Sequence, residues 1–297
     1  MQFLFVNVYG LLRTLRPRQW IKNGFVFVVL VFDQKLLDLD LLLRTFAAFI
    51  LFCMISSTVY IINDLADIEK DKQHPKKRNR ALPSGQLTPW FAVVSAVAIL
   101  VVCLPLSFWL DFFFGLIVLG YLLLNLAYSF ALKHVVIIDV MVVAAGFLLR
   151  VAAGGVVANA ERFSPWLYVF TIFLALILAT GKRRHELSFL AEGADSHRRI
   201  LNEYNIGFLD QMIQVAISGT VISYSLYTFS AENLPTNHAM MLTIAFVIYG
   251  VFRYQYLVQV KGEGGAPEML LYTDFPLLLD VILFGISVVL IMYVFSP

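Results

Sequence analysis

Apolar residues along this chain do not alternate with polar ones; they come in long blocks separated by short charged breaks. Such blocks fall near 18–37, 41–63, 90–110, 112–132, 135–157, 164–181, 209–229, 238–257 and 276–295. At 1.5 Å per residue, each is about the length needed to cross a hydrocarbon layer roughly 30 Å thick. The predicted fold class is therefore all-α, a polytopic membrane bundle of about nine transmembrane helices, in a single domain over 1–297. Lys22 and Asn23 sit near the start of the first block and make it the least regular. The breaks around Trp109–Phe112 and Lys133–Val135 are so short that the third, fourth and fifth blocks should be antiparallel neighbours. The apolar stretch Met1–Leu12 precedes its basic residues, the reverse of a secretory signal, and reads as an uncleaved interfacial helix.

Composition sharpens this picture. Of 297 residues, 60% are hydrophobic and 14% charged, with a mean hydropathy of +0.81; soluble domains carry about a quarter charged residues, so an ordinary soluble enzyme is excluded. The net charge of +2 says little about partners, and no nucleic-acid partner is expected. Placement of the charge says more. With the N-terminus inside, 18 of the 22 lysines and arginines share one side: Arg13 to Lys22, Lys70 to Arg80, Lys133, Lys182 to Arg184, Arg198, Arg199, Arg253 and Lys261. The positive-inside rule makes that side cytoplasmic. The expected location is the inner (plasma) membrane, with loops 64–89 and 182–208 capping a cytoplasmic site. Cys53 and Cys103 lie in apolar blocks without any CxxC or Cys/His cluster and read as inert.

The sharpest chemical signal is Asn63-Asp64-Leu65-Ala66-Asp67-Ile68-Glu69-Lys70-Asp71, at the end of the second block. On a continuous helix, Asp64, Asp67 and Asp71 share one face within about 60°. Acid at a helix C-terminus opposes the macrodipole, and three like charges on one face point to a bound cation. Carboxylate oxygens suit Mg²⁺, which takes its remaining ligands from water and phosphates. Pro75 should stop the helix. The basic run through Lys77, Arg78 and Arg80 then lies beside the carboxylates, as a diphosphate gripped by metal and cations requires. A plain interfacial anchor is the alternative account of that run.

NDxxDxxxD at the end of the second of about nine spans resembles the UbiA superfamily of intramembrane prenyltransferases. Arg16-Pro17-Arg18-Gln19-Trp20-Ile21-Lys22-Asn23, the HPKKRNR run, Tyr128-Ser129, Lys133-His134, Ile138-Asp139-Val140, Gly146 to Arg150, Gly181-Lys182-Arg183 and Lys261 to Gly265 resemble one branch of it, the decaprenyl-phosphate phosphoribosyltransferases. The resemblance implies a Mg²⁺-dependent transfer of 5-phosphoribose from phosphoribosyl pyrophosphate to a polyprenyl phosphate. Asp64, Asp67 and Asp71 would hold the metal and form the catalytic set. Asn63, Tyr128, Lys182 and Arg183 would contact substrate through the family motifs.

Other members carry a second aspartate motif between spans six and seven. Here that loop reads Gly181-Lys182-Arg183-Arg184-His185-Glu186, three cations and one acid, which suits a donor rich in phosphates. A Lys182–Glu186 helical ion pair is the plainer alternative. Polar residues at membrane depth add candidates: Asp139 near the cytoplasmic end of the fifth block, with Lys22, Lys133 and Arg253 placed to reach the same pocket. Arg150 shares a face with Asp139 but lies about 16 Å further along, too far to pair; it snorkels outward or pairs with another helix and stays outside the site. The loop Lys261–Pro267 is a candidate lid. A homo-oligomer is left open. The rival enzyme reading is prenyl transfer from a prenyl diphosphate to an aromatic acceptor, which the missing second aspartate motif disfavours. A transporter should show inverted repeats or matched broken helices, and the chain shows neither.

Overall fold

The computed structural model describes residues 2–73, 77–160, 164–191 and 199–294. His74, the expected helix stop at Pro75, Arg162 and Arg198 lie outside them. The described residues form helices and no strands: α1 (Gln2–Thr14), a 3₁₀ segment (Pro17–Phe27) running into α2 (Val28–Phe32), α3 (Leu39–Ala66), α4 (Ile68–Gln73), α5 (Pro89–Leu110) and α6 (Phe112–Phe130). Then come α7 (Ile138–Val157), α8 (Pro165–Ala191), α9 (Ile206–Ser230), α10 (Ile244–Gln259), α11 (Pro267–Thr273) and α12 (Phe275–Tyr293).

Among the described residues, eight segments are long and apolar enough to cross a membrane: α3, α5, α6, α7, the Pro165–Ser188 part of α8, α9, α10 with its leading turn, and α12. They match eight of the nine predicted blocks. Polar caps set their starts. Asp38, Asp111, Asn205 and Asp274 each accept a bond from the backbone N–H three residues on, satisfying a donor that the first helical turn leaves free. Asp111 alone separates α5 from α6, which enforces the antiparallel turn read from the sequence.

The first block differs. Arg16 takes a left-handed backbone (φ 52) ahead of Pro17, so no α-helix runs through that point. The chain continues as a 3₁₀ segment hooked to α3: Trp20 Nε1 donates to Ser57 Oγ at 3.0 Å, and Asn23 Nδ2 to Ser56 Oγ at 3.1 Å. Trp20 thus turns inward, toward α3. On the other side the Val26 carbonyl rests on Gly154 of α7, where any Cβ would collide with it. Asn23, Val26, Val29 and Leu30 are all buried.

Helix α3 is the axis of the N-terminal half, packing on α5, α6, α7 and the 3₁₀ segment around Phe52, Ile55, Phe114 and Tyr121. In the other half α8 runs along α9, with Ile177, Ile213 and Tyr254 between α8, α9 and α10. Side-chain contacts gather the C-terminal end of α3, the α6–α7 turn, the polar end of α8 and residues around Tyr204 at one end of the bundle.

Candidate active site at one end of the bundle

Helix α3 stops at Ala66. Asp67 leaves the helical backbone (φ −100, ψ 10), and α4 starts afresh at Ile68. The three aspartates therefore do not share one face of a continuous helix, as their spacing predicted. Instead the bend brings Asp64 and Asp71, 3% and 2% exposed, onto one cation. Arg80 Nη1 lies 3.0 Å from Asp64 Oδ1 and 2.6 Å from Asp71 Oδ2. Arg16 Nη2 also donates to Asp64 Oδ1, at 2.6 Å, and Lys77 Nζ stands 3.8 Å from Asp71. Asp67 turns aside to Lys133 Nζ, 3.4 Å away. A cleft of about 110 Å³ opens between Arg13, Thr14, Arg16, Asp64, Arg80 and Ala81. Arg16 stacks over the Tyr60 ring, 4.7 Å from its centre.

These residues fit a divalent cation. Two carboxylates from successive helices already share one positive nitrogen, so a smaller cation bound by oxygen could take that place. Among the described residues no group of three acidic, histidine or cysteine side chains surrounds a single point. The other ligands would then be water and substrate oxygens, the coordination Mg²⁺ favours. Asp64 and Asp71 would be the pair for this role, with Asp67 beside them.

A second cluster sits across the α6–α7 turn. Arg183 is 3% exposed, and each of its nitrogens is engaged: Nε with Asp139 Oδ2 at 2.6 Å, Nη1 with Glu186 at 2.7 Å, Nη2 with the Tyr128 hydroxyl at 2.9 Å. The Tyr204 hydroxyl donates to Asp139 Oδ1 at 2.7 Å and accepts from the Ile137 N–H, also at 2.7 Å. That bond holds Ile137 at φ 69, a conformation β-branched residues rarely adopt. Burial, then the bond to Asp139, pushes the Tyr204 phenol up from its usual range. Four candidates from the sequence thus meet, but on one another: Arg183 is a buried clamp, where a phosphate grip was expected.

Lys22 belongs to a third group. Its Nζ lies 3.1 Å from Glu268 Oε2 and donates to Gln19 at 2.7 Å, and Gln19 in turn donates to Glu268. Burial alone would raise the Glu268 carboxyl, but Lys22 and the hydrogen bonds hold it below the usual value. Sequence reading missed Glu268, and it used Arg16 in the positive-inside bias and in a family motif without placing it beside Asp64. A carboxylate directly after Pro267, in the first turn of α11, was the available signal.

Among the rest, Lys182 and Arg78 are exposed and Asn63 is half-buried. Arg253 does not join the aspartates. It makes a two-point contact with Asp274, at 2.7 and 3.1 Å, which steadies the start of α12. The Lys261–Pro267 loop, a candidate lid, is docked on α8 through His185, whose Nδ1 lies 2.6 Å from the Gly262 carbonyl oxygen and 3.2 Å from the Gly264 nitrogen.

The profile of the UbiA prenyltransferase family matches residues 24–268, most of this framework. The chain belongs to that family. UbiA relatives by sequence include the decaprenyl-phosphate phosphoribosyltransferases of Mycolicibacterium smegmatis, 31% identical over 90% of this chain and 87% of that protein, and of Corynebacterium glutamicum, 33% identical over 89% and 81%. By fold, the chain is similar to a UbiA homologue from Archaeoglobus fulgidus solved with GPP and Mg²⁺, at a TM-score of 0.72 and 18% identity, covering 95% of this chain and 99% of that one. The protein is thus a multi-pass membrane transferase of the UbiA family.

Proposed function

We propose that this UbiA-family chain transfers 5-phosphoribose from phosphoribosyl pyrophosphate to a polyprenyl phosphate of the decaprenyl type and releases pyrophosphate. The observation that carries this reading is the pair Asp64 and Asp71 joined through Arg80 and ringed by Arg16 and Lys77. That is a site for a metal-bound diphosphate with cations to spare. The names of the sequence relatives support the phosphoribosyl group as what is transferred and a decaprenyl-type phosphate as its acceptor.

In the transfer, the bond from ribose carbon 1 to the diphosphate oxygen breaks, and its electron pair leaves with pyrophosphate. A lone pair on the lipid phosphate oxygen forms the new bond to carbon 1. The phosphate monoester is already ionised near neutral pH, so no side chain has to remove a proton. Arg16, Arg80 and Lys77 neutralise and orient the diphosphate through charge-assisted hydrogen bonds. Mg²⁺ held by Asp64 and Asp71 would supply further positive charge to the leaving group. Asn63, Arg78, Lys133 and Lys182 complete the polar rim, and Lys22 is set by Glu268. The clamp of Arg183, Asp139, Tyr128, Glu186 and Tyr204 positions α8 against α7.

The test incubates purified protein with Mg²⁺, phosphoribosyl pyrophosphate and a polyprenyl phosphate, and reads the lipid by mass spectrometry. The expected product is the phosphoribosylated lipid, with one pyrophosphate released per lipid. Product only from a prenyl diphosphate and an aromatic acceptor would overturn this reading in favour of prenyl transfer.

The site faces the cytoplasm of the inner membrane in this proposal, as the basic bias supports. Glu69 and Leu37 are exposed beyond opposite ends of α3. In a variant lacking Cys53 and Cys103, an impermeant thiol reagent added outside the cell should label Leu37→Cys. It should leave Glu69→Cys unmodified until the membrane is opened. Labelling of Glu69→Cys in intact cells would reverse the orientation.

A further inference from the structure

Arg150 lies in the interior of α7 and is 6% exposed. Its Nε donates to Asn23 Oδ1 at 2.7 Å, Nη1 to the Gly146 carbonyl at 2.7 Å and Nη2 to the Tyr121 hydroxyl at 2.8 Å. The guanidinium stands 4.7 Å from the Tyr121 ring centre and 5.5 Å from that of Phe147. All of these partners are neutral. A guanidinium carries five N–H donors; three are used, and one on each terminal nitrogen has no acceptor among the described residues. A buried full charge without a counter-charge is costly, and an ionisable side chain at membrane depth marks a functional path more often than a structural one. Two free donors on one planar fork match two oxygens of a phosphate.

The depth fits one particular phosphate. Arg150 is tied to Asn23, and Asn23 to Ser56. Ser56 precedes Asp64 by eight residues of α3, about 12 Å along the helix. Tyr60 lies between them, one turn beneath Asp64, with Arg16 over its ring. In a displacement at carbon 1 the nucleophile arrives opposite the leaving group. With the diphosphate at Asp64 and Asp71, a nucleophile opposite it would come from deeper along α3, the side on which Ser56 and Asn23 lead to Arg150.

We propose that Arg150 is an anion fork that receives the phosphate of the lipid acceptor on the buried side of the sugar. This rests on the phosphoribosyl-transfer reading for the role of the lipid, though not for its binding. Asn23 and Tyr121 aim the fork, and the incoming phosphate supplies a counter-charge that Arg150 does not find among the described residues.

The experiment measures binding to the full-length protein in nanodiscs, without donor, of a polyprenyl phosphate and of the matching uncharged polyprenol. The wild type should bind the phosphate at least tenfold more tightly and gain thermal stability from it but not from the alcohol. Arg150→Met should lose that preference, weakening the phosphate about ten- to a hundredfold, while Arg150→Lys keeps part of it. Affinity for the Mg²⁺ complex of phosphoribosyl pyrophosphate should stay within about twofold in both variants. If Arg150→Met does not fold, Tyr121→Phe, which removes only one aiming contact, should show the smaller loss in the same direction. A preference that survives Arg150→Met, or in its place Tyr121→Phe, overturns the proposal. So does a wild type that binds phosphate and alcohol alike, or a loss confined to the soluble donor. A wild type that binds the lipid phosphate through Arg150 yet forms no phosphoribosylated lipid would sink the donor assignment and leave the fork standing.

Discussion

Asp64→Asn yields a protein that inserts and purifies normally but turns over roughly a thousandfold more slowly, the scale of losing a preorganised charge at a reacting centre. Asparagine keeps the shape and one acceptor oxygen, so Arg16 and Arg80 retain a partner, and Arg80 also keeps Asp71. The stability cost is accordingly modest, about 1–2 kcal/mol. What is lost is the negative charge that a divalent cation needs. Asp71→Asn should be nearly as severe, because its carboxylate shares the same cation position. Asp67→Asn should cost clearly less, since Asp67 faces Lys133 from beyond the bend in the helix. That ranking separates the bent geometry from a continuous helix, on which all three would act alike. Initial rates over a Mg²⁺ titration measure it. A near-wild-type rate for Asp64→Asn at saturating Mg²⁺ would remove Asp64 from the site.

Hydropathy made the long helices legible because a backbone in lipid must satisfy its own hydrogen bonds, leaving little but unbroken apolar runs with polar ends. Asp111 between α5 and α6 is such an end, and it is readable by eye. The first block escaped the rule. It pairs its backbone as a 3₁₀ segment after the left-handed turn at Arg16, while its Trp20 and Asn23 side chains are held by Ser57, Ser56 and Arg150 from other helices. The site divides in the same way. The aspartates were visible as a local pattern, but the break at Asp67 was not, because the cations on either side of it come from Lys133 and Arg80. Arg16 reaches Asp64 across 48 positions, and Gln19 reaches Glu268 across 249. No local spacing encodes such pairs.

Arg183 carries the largest stability effect. Its loop position among cations suggested a phosphate grip, yet its partner Asp139 stands 44 positions earlier, and both are buried. Removing one member of a buried, hydrogen-bonded ion pair strands the other charge and costs about 3–5 kcal/mol. Arg183→Met should therefore lower the melting temperature by on the order of ten degrees. It would leave Asp139 facing only the Tyr204 hydroxyl. Asp139→Asn should cost less, because Arg183 keeps Glu186 and Tyr128. The double variant should recover part of the loss in Arg183→Met, since no buried carboxylate is then left without its cation. Lys182→Ala, at the exposed neighbouring position, should leave the melting temperature unchanged. Thermal melts of the four variants in one detergent or nanodisc measure the set, with donor binding measured beside them. Were Arg183 a phosphate grip, Arg183→Met would melt like the wild type and bind phosphoribosyl pyrophosphate about ten- to a hundredfold more weakly. A clamp predicts the reverse order: stability falls first, and donor binding follows only as far as α8 shifts from α7.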